Sequence, residues 1–231
     1  MEKPARYFGF VVLMLMVVLL PLGQALGAEQ GRLMVLVDPA HGGEDLGVVS
    51  DRIREKDLTL KIALLLREEG RKDKHVRIEL TRSADLKMST AERIKGAGKL
   101  KPDCIVSLHI NAGFGKKAAG YEAYFPGFRP PVPGGVDSAP IVKDMVKNTY
   151  LNDAVRLAQK LQSRLDAVFP RQGRGLRDAP NPLLEGLTIP GVVLEIGFVT
   201  HSADRKTLLD EGIQRAVAKA VFAGLRDYSQ P

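Results

Sequence analysis

Residues that can bind a metal ion lie within or directly after three apolar segments of this sequence. Asp38 ends the apolar run "LMVLVD" and His41 follows it, His109 lies in "CIVSLHI", and Glu195 lies in "GVVLEIGFV". Glu55 opens a helical pattern after the first of these runs. A catalytic zinc ion normally has three imidazole or carboxylate ligands and a fourth position for water. His41, Glu55 and His109 would supply such a set.

The segment between His41 and Glu55 has the composition of a tight turn followed by an arm. Gly42 and Gly43 let the backbone turn directly after His41, so that its imidazole can face an ion. The rest of the segment then brings Glu55 round to the histidine. We expect Asp38 to accept the second imidazole N–H of a ligand histidine. For each of these residues taken alone, the alternative is a polar side chain that its neighbours satisfy.

Apolar runs of strand length alternate with helical patterns along the chain. The predicted strands are 33–38, 75–82, 103–110, 191–199 and a more exposed one at 120–125; the predicted helices are 55–72, 89–99, 152–169 and 203–228. This alternation predicts an α/β fold, a mainly parallel twisted sheet with helices on both faces. Functional groups of such sheets lie at the carboxyl ends of the strands. Asp38, His41, Ser107, His109 and Glu195 are therefore expected on one edge.

Three local features support these predictions. Ser89 and Glu92 form the Ser-x-x-Glu pattern of a capping box, which predicts a helix start. Asn152 is expected to start the third helix. The single cysteine, Cys104, lies inside an apolar run, so no intrachain disulfide can form and we expect a buried core residue rather than a nucleophile.

The first 27 residues differ from the rest of the chain. A basic start precedes an almost uninterrupted apolar run over 8–22, and small residues follow. This pattern predicts a secretory signal peptide over 1–27, cleaved near Gly27, and a catalytic domain over 28–231. The alternative is an uncleaved anchor, although the run is short for a membrane span. In both cases we expect an exported protein of the periplasm or cell envelope, with membrane contact only through the transient signal peptide.

The formal net charge of the 231-residue chain is +7. A basic exported protein is attracted to polyanions such as an acidic cell wall. Nucleic acid is the weaker interpretation, because the Lys and Arg residues are scattered and no recognition motif accompanies them. Pro and Gly punctuate 126–140, and a short amphipathic piece follows, so 126–150 is predicted to be an irregular insertion. It is either a surface excursion with a helical turn packed on the body of the protein, or a lid near the site.

Five segments carry a resemblance to a known family. In chain order they are "VDPAHGGEDLG", "REKDLTLKIALLL", "LTRSADLKMSTAERIKGAGKLKPDCIVSLHINA", "GYEAYF" and "VVLEIGFVTHSADRKTLL". They resemble the successive motifs of the zinc-dependent N-acetylmuramoyl-L-alanine amidases, the peptidoglycan amidase type 3 family, over roughly 33–228. The resemblance implies one zinc ion held by His41, Glu55 and His109, with Glu195 as the catalytic base. It also implies hydrolysis of the amide bond between N-acetylmuramic acid and L-alanine in peptidoglycan.

The chain departs from the family pattern at a few positions. Ala40 and Gly98 replace a usual Gly and Asn, and His201 replaces the Asn after the last motif. These departures bear on substrate details rather than on the reaction. His75 and His201 belong to no motif and are expected to be ordinary surface residues.

Several further residues have two interpretations each. We expect Arg82 to fix its turn by pairing with Asp85 rather than to touch substrate. Asn111 orients substrate or caps a turn. Arg174 and Arg177, in the predicted loop 174–186, meet peptide carboxylates or form a solvated face.

Two rival functions are consistent with the same residues. One is a zinc peptidase that acts on a different amide. The other is a non-catalytic wall-binding module, which would have no use for a general base at Glu195. Some relatives cover the site with an inserted helix that a partner displaces, so the lid interpretation of 126–150 would add a protein activator as a partner.

Overall fold

The computed structural model describes residues 31–51, 53–127, 138–170 and 172–230, without the side chains of 138–148. The predicted signal peptide and the middle of the predicted insertion, 128–137, lie outside these residues, so both remain predictions. Leu33–Pro231 forms one compact unit. In the part of the chain that is described, no helix is both long and apolar enough to cross a membrane.

Strands and helices alternate through the described chain. The strands are β1 (Leu33–Pro39), β2 (Val49–Ser50), β3 (Ile53–Arg54), β4 (Val76–Leu80), β5 (Cys104–Asn111), β6 (Tyr121–Phe125), β7 (Gly173–Asp178) and β8 (Gly191–Phe198). The helices are α1 (Glu55–Arg71), α2 (Thr90–Leu100), α3 (Ser138–Leu165), α4 (Pro182–Glu185), α5 (Ser202–Leu209) and α6 (Glu211–Ser229).

Six of the strands form one sheet in the order β4-β1-β5-β8-β6-β7, and β2 and β3 form a small separate hairpin. β4, β1, β5 and β8 are parallel, whereas β6 is antiparallel to β8 and parallel to β7. The predicted mainly parallel α/β fold is thus confirmed. β6 is not the exposed strand that we predicted, because it has neighbours on both sides; Tyr121 and Ala123 are buried.

The two faces of the sheet are covered unequally. Alternate strand residues such as Val37, Val106 and Leu194 join the large core cluster, which includes residues of α1, α3 and α6. Leu36 and Ile105 face a smaller cluster with residues of α2 and α4. Residues two positions further along a strand lie on the same face. Asp38, Ser107, His109 and Glu195 therefore lie on the face of the smaller cluster, towards the carboxyl ends of their strands.

Two predicted helices have different bounds in the structure. α3 begins at Ser138 and passes through Asn152 without a break, so 138–150 is helical rather than irregular. The predicted helix 203–228 is two helices, because Asp210 interrupts it. The Asp210 carboxylate accepts a hydrogen bond from the Ile213 N–H and so caps α6. An Asp between two helical patterns indicates that one helix ends and the next begins. The spacing of the apolar residues alone does not show this boundary.

Residues 174–186 are not a plain loop. Their first part belongs to β7, an exposed polar edge strand that pairs with β6, and their second part contains α4. The sequence "GRGLRD" of β7 has no apolar alternation, so its pairing with β6 decides its conformation. The Ser89–Glu92 capping box at the start of α2 is present as predicted.

Candidate metal centre

The carboxylate of Glu55 lies between two histidines. Its Oε2 atom is 3.1 Å from His41 Nε2, and its Oε1 atom is 3.0 Å from His109 Nδ1. The two imidazole rings meet edge to face with centroids 5.5 Å apart. One ligand atom from each of the three residues lies within 4.8 Å of the others. The first turn of α1, the loop after β1 and the end of β5 thus meet at one point.

Backbone groups hold the Glu55 side chain, which is only 1% exposed. Oε2 accepts a hydrogen bond from the Val48 N–H at 2.8 Å, and Oε1 accepts one from the Ile110 N–H at 3.0 Å. Burial alone would raise the pKa of Glu55, but hydrogen bonds from His109 and His41 lower that pKa to about 2. The Glu55 carboxylate is therefore ionised and fixed in place.

His41 is held in an unusual backbone conformation with φ of 62°. This left-handed region is unfavourable for a residue with a side chain. The buried guanidinium of Arg93 donates to the His41 carbonyl oxygen at 2.7 Å, which supports the turn. The glycines that follow, Gly42 and Gly43, also have positive φ, so the turn after His41 is as tight as predicted.

The second nitrogen of His41 contacts Asp45 rather than Asp38. His41 Nδ1 lies 2.9 Å from Asp45 Oδ2. The glutamate on its other side is the largest cause that raises the pKa of His41 to about 9, and Asp45 adds to it. With Nδ1 engaged by Asp45, Nε2 is the nitrogen directed at the centre.

Asp38 has a different role from the one predicted. Its carboxylate is ion-paired with Arg93 and accepts hydrogen bonds from Thr81 Oγ1 and from Ser107 Oγ. Among the described residues, no histidine contacts it. Our prediction that Asp38 accepts an imidazole N–H is therefore wrong: Asp38 anchors Arg93, which in turn holds the His41 backbone.

The donor set of this centre fits a zinc ion. Two imidazole nitrogens and one carboxylate oxygen match the ligand types of catalytic zinc sites and leave a position for water. Gly47 keeps the space beside them clear. A Cβ atom at Gly47 would lie 2.5 Å from Glu55 Oε2 and 2.6 Å from His41 Cδ2.

Glu195 lies on the strand next to His109. The two residues are register partners in the parallel pair β5–β8. The Oε2 atom of Glu195 is buried and has no hydrogen-bond partner among the described residues. Burial is the largest cause that raises the pKa of Glu195 to about 7. A carboxyl group with this pKa can accept and release a proton near neutral pH.

A group of charged residues continues from Glu195 across the sheet. Glu122 is the register partner of Glu195 in the antiparallel pair β6–β8 and is 2% exposed. Arg174 Nε donates to Glu122 Oε1 at 2.5 Å, Arg177 Nη2 lies 3.4 Å from the same atom, and Asn111 Nδ2 donates to Oε2 at 3.4 Å. Arg174 and Arg177 are thus neither fully solvated nor isolated, and among the described residues the Asn111 side chain contacts Glu122 rather than capping a turn.

Arg82 and Asp85 do not pair with each other. Arg82 is buried and donates to the carbonyl oxygens of Pro39, Ala40, Ala84 and Lys56. Asp85 instead accepts hydrogen bonds from Lys56 Nζ at 2.6 Å and from the Gly43 N–H at 2.7 Å. The prediction that Arg82 fixes a turn holds through backbone carbonyls, but the pairing with Asp85 is wrong.

The remaining predicted residues lie away from the centre. Cys104 is fully buried in the large core, as predicted. His75 is exposed, as predicted. His201 is half-buried and caps α5 by accepting a hydrogen bond from the Asp204 N–H, so it is not an ordinary surface residue.

Two clefts flank the body of the protein. One of about 170 Å³ opens at the centre, where the starts of α2 and α4 meet His41, His109 and Asp38. A larger one, of about 250 Å³, lies between α3, α4 and the amino-terminal end of β8, and none of His41, Glu55, His109 or Glu195 lines it. The chemistry of the residues, rather than cleft size, places the site at the smaller one.

Sequence reasoning missed three residues of this region. Asp45 follows His41 by four positions within a turn, a signal that a local pairing was available. Glu122 is a carboxylate inside an otherwise apolar and aromatic strand, which indicates a buried charge with a partner. Arg93 carries no such signal, because an arginine in a helix is usually solvated.

Comparisons with known proteins agree with this fold. The chain is 29% identical over 215 residues to the uncharacterized protein YqiI of Bacillus subtilis, covering 91% of each. It is 24% identical over 219 residues to N-acetylmuramoyl-L-alanine amidase AmiC of Escherichia coli, covering 85% of this chain and 52% of that one. The crystal structure of an N-acetylmuramoyl-L-alanine amidase from Clostridium difficile matches with a TM-score of 0.71 and 27% identity, covering 86% of this chain and 97% of that one.

A family model supplies the assignment. The model described as N-acetylmuramoyl-L-alanine amidase matches residues 35–227, which include most of β1 and most of α6. This range contains His41, Glu55, His109 and Glu195. The chain therefore belongs to the N-acetylmuramoyl-L-alanine amidase family.

Proposed function

We propose that this protein hydrolyses the amide bond between N-acetylmuramic acid and L-alanine in peptidoglycan, with one zinc ion bound by His41, Glu55 and His109. The observation that carries the proposal is the Glu55 carboxylate, which lies about 3 Å from an imidazole nitrogen on each side. The family match supports the reaction, and the donor set supports the metal.

A bound zinc ion would lower the pKa of a coordinated water to about 7 and polarise the scissile carbonyl. The protein contributes fixed ligands, because backbone N–H groups hold Glu55 and Asp45 orients His41. Ligands oriented by such outer partners bind more tightly.

Glu195 is the proton carrier of the proposed reaction. Its carboxylate takes a proton from the attacking water and delivers it to the nitrogen of the leaving amine. An amine leaves poorly unless its nitrogen is protonated, so this transfer matters for the breaking of the bond. In the metal-free protein, burial raises the pKa of Glu195 to about 7, so this carboxyl group takes up a proton more readily than an exposed glutamate does.

The test separates metal binding from proton transfer. His109→Ala is expected to lose both zinc and activity, whereas Glu195→Gln is expected to keep zinc and lose about 100-fold or more of the hydrolysis rate. Zinc content by atomic absorption and hydrolysis of purified peptidoglycan are the two measurements. Near wild-type turnover in Glu195→Gln, or full activity after chelation of zinc, would contradict the proposal.

Identification of the products separates the rival functions. Mass spectrometry of digested peptidoglycan should show intact glycan strands and free peptides that begin with L-alanine. Cleavage within the peptide would instead indicate a zinc peptidase. Binding to the wall without any new ends would indicate a non-catalytic module.

We further propose that the protein acts outside the cytoplasm, because peptidoglycan lies there and residues 1–27 have the pattern of a signal peptide. The amino-terminal sequence of the mature protein, recovered from the cell envelope, tests this proposal. A mature protein that retains residues 1–27 would contradict cleavage. A protein activator that acts on 126–150 remains a prediction.

A further inference from the structure

The proposed hydrolysis gives no role to Arg174 and Arg177, the two arginines that contact Glu122. Glu122 is buried, and a buried carboxylate requires compensating donors. Arg174 alone would balance the negative charge of Glu122 through its charge-assisted hydrogen bond to Oε1 at 2.5 Å. Arg177 is nevertheless placed 3.4 Å from the same oxygen, and Tyr124 Oη donates to the other one at 2.5 Å. The two guanidiniums and one carboxylate leave a net charge of +1.

The two arginines retain donors for another acceptor. Arg174 reaches Glu122 through Nε, and no described residue accepts from its Nη atoms. Arg177 reaches Glu122 through Nη2. The side chains of Arg174 and Arg177 are 35% and 50% exposed, so a ligand in solution can reach both.

The Arg174 guanidinium is oriented before any ligand arrives. Glu122 holds it on one side, and its Cζ atom lies 5.2 Å from the centroid of the Phe198 ring. A guanidinium held by a buried carboxylate and an aromatic ring loses little freedom when it binds a further anion. The lowered pKa of Glu122 is consistent with a permanent negative charge that keeps this orientation, since hydrogen bonds from Tyr124 and Arg174 outweigh burial.

We propose that Arg174 and Arg177 form a subsite that binds a carboxylate of the peptide attached to the scissile amide. The guanidinium fork matches the planar geometry of a carboxylate. This inference rests on the proposed function, which supplies a peptide as the leaving group, and it names what the enzyme recognises in that peptide.

The position of the subsite indicates which carboxylate it takes. β7, which carries both arginines, lies two strands from β8, which carries Glu195. Both guanidinium groups contact Glu122 on β6, the strand next to β8, so they lie between one and two strand spacings of about 4.8 Å, roughly 5 to 10 Å, from the Glu195 carboxyl group. An extended peptide covers about 3.3 Å per residue. The carboxylate therefore belongs to the second or third residue of the peptide.

The test uses two synthetic N-acetylmuramoyl peptides that differ only at the second residue, which carries either a free carboxylate or the corresponding carboxamide. The measurement is kcat/KM of the zinc-loaded enzyme on each. The wild type is expected to prefer the carboxylate by about tenfold or more, as for a charge-assisted hydrogen bond. A parallel pair that differs at the third residue covers the other position.

The variants show whether the arginines cause that preference. Arg177→Gln and Arg174→Lys are expected to reduce the preference towards equal cleavage of the two substrates. Arg164→Gln is the matched control, because Arg164 pairs with Asp227 between α3 and α6 and should leave the preference unchanged. If Arg174→Lys does not fold, the double variant Glu122→Gln, Arg174→Gln removes both charges of the ion pair and serves in its place.

The outcomes separate this proposal from the proposed function. Equal cleavage by the wild type at both positions, with hydrolysis otherwise intact, would overturn the subsite and leave the amidase function standing. A preference that survives in both arginine variants would also overturn the subsite. Failure of the wild type to cleave any of these substrates would overturn the proposed function together with the subsite.

Discussion

Glu195→Gln should make the metal-free protein more stable at neutral pH. Burial raises the pKa of this carboxyl group from 4.5 to about 7, and its Oε2 atom has no hydrogen-bond partner among the described residues. Ionisation of Glu195 therefore lowers the free energy of unfolding of the protein. Glutamine has nearly the same shape and carries no charge, so the substitution removes that decrease.

The size of the effect follows from the difference between the folded and unfolded pKa values. Between pH 4.5 and 7 the folded protein holds more protons than the unfolded chain, so the free energy of unfolding falls as the pH rises through this range. The loss is nearly absent below pH 4.5 and complete above about pH 7. A shift of the Glu195 pKa from 4.5 to about 7 corresponds to a decrease of at most about 3 kcal/mol in the free energy of unfolding. Partial contact with solvent reduces it, so we expect about 1–3 kcal/mol.

The assay is urea unfolding of both proteins in the presence of a zinc chelator, at a series of pH values from about 5 to 8. The stability of Glu195→Gln minus that of the wild type should increase with pH by about 1–2.5 kcal/mol over this range. Glu68→Gln, on the exposed side of α1, is the control and should show a constant difference. A constant difference for Glu195→Gln as well would refute the reasoning that burial of Glu195 is costly.

Two further substitutions test the support of the centre. Gly47→Ala should weaken zinc binding by more than tenfold in titration calorimetry, because its Cβ would lie 2.5 Å from Glu55 Oε2; Gly115→Ala has a similar positive φ but open space around it and should bind zinc like the wild type. Equal affinities of the two variants would contradict this steric explanation. Arg93→Met should cost about 3–5 kcal/mol in urea unfolding, because it leaves the buried Asp38 carboxylate without its cation. A loss below about 1 kcal/mol would show that the pair is not needed.

Much of the fold could be predicted because its central strands are buried on both faces. β1, β5 and β8 are apolar nearly throughout, and this pattern survives in the sequence whatever surrounds it. The capping box before α2 was equally readable, because it is local chemistry between Ser89 and Glu92. The strand-end rule then predicted one edge for His41 and His109, and the structure brings these two residues together.

Other elements could not be predicted from the sequence, because contacts with neighbouring parts of the structure determine their conformation. β7 is polar and becomes a strand only by pairing with β6. α3 continues through Asn152, since a residue that favours caps is also tolerated on the exposed side of a helix. Asp38 accepts hydrogen bonds from Arg93, Thr81 and Ser107, and no sequence pattern links these positions.

The sequence by itself determined the types of the residues at the candidate metal centre, the positions of the buried strands along the chain and the place of His41, His109 and Glu195 near strand ends. These properties depend on composition and local periodicity. Only the tertiary structure decided that Glu55 lies between the histidines, that Asp45 rather than Asp38 orients His41, and that Glu122 holds two arginines beside Glu195. Contacts of this kind join residues on different elements, and their partners depend on how the chain packs in three dimensions.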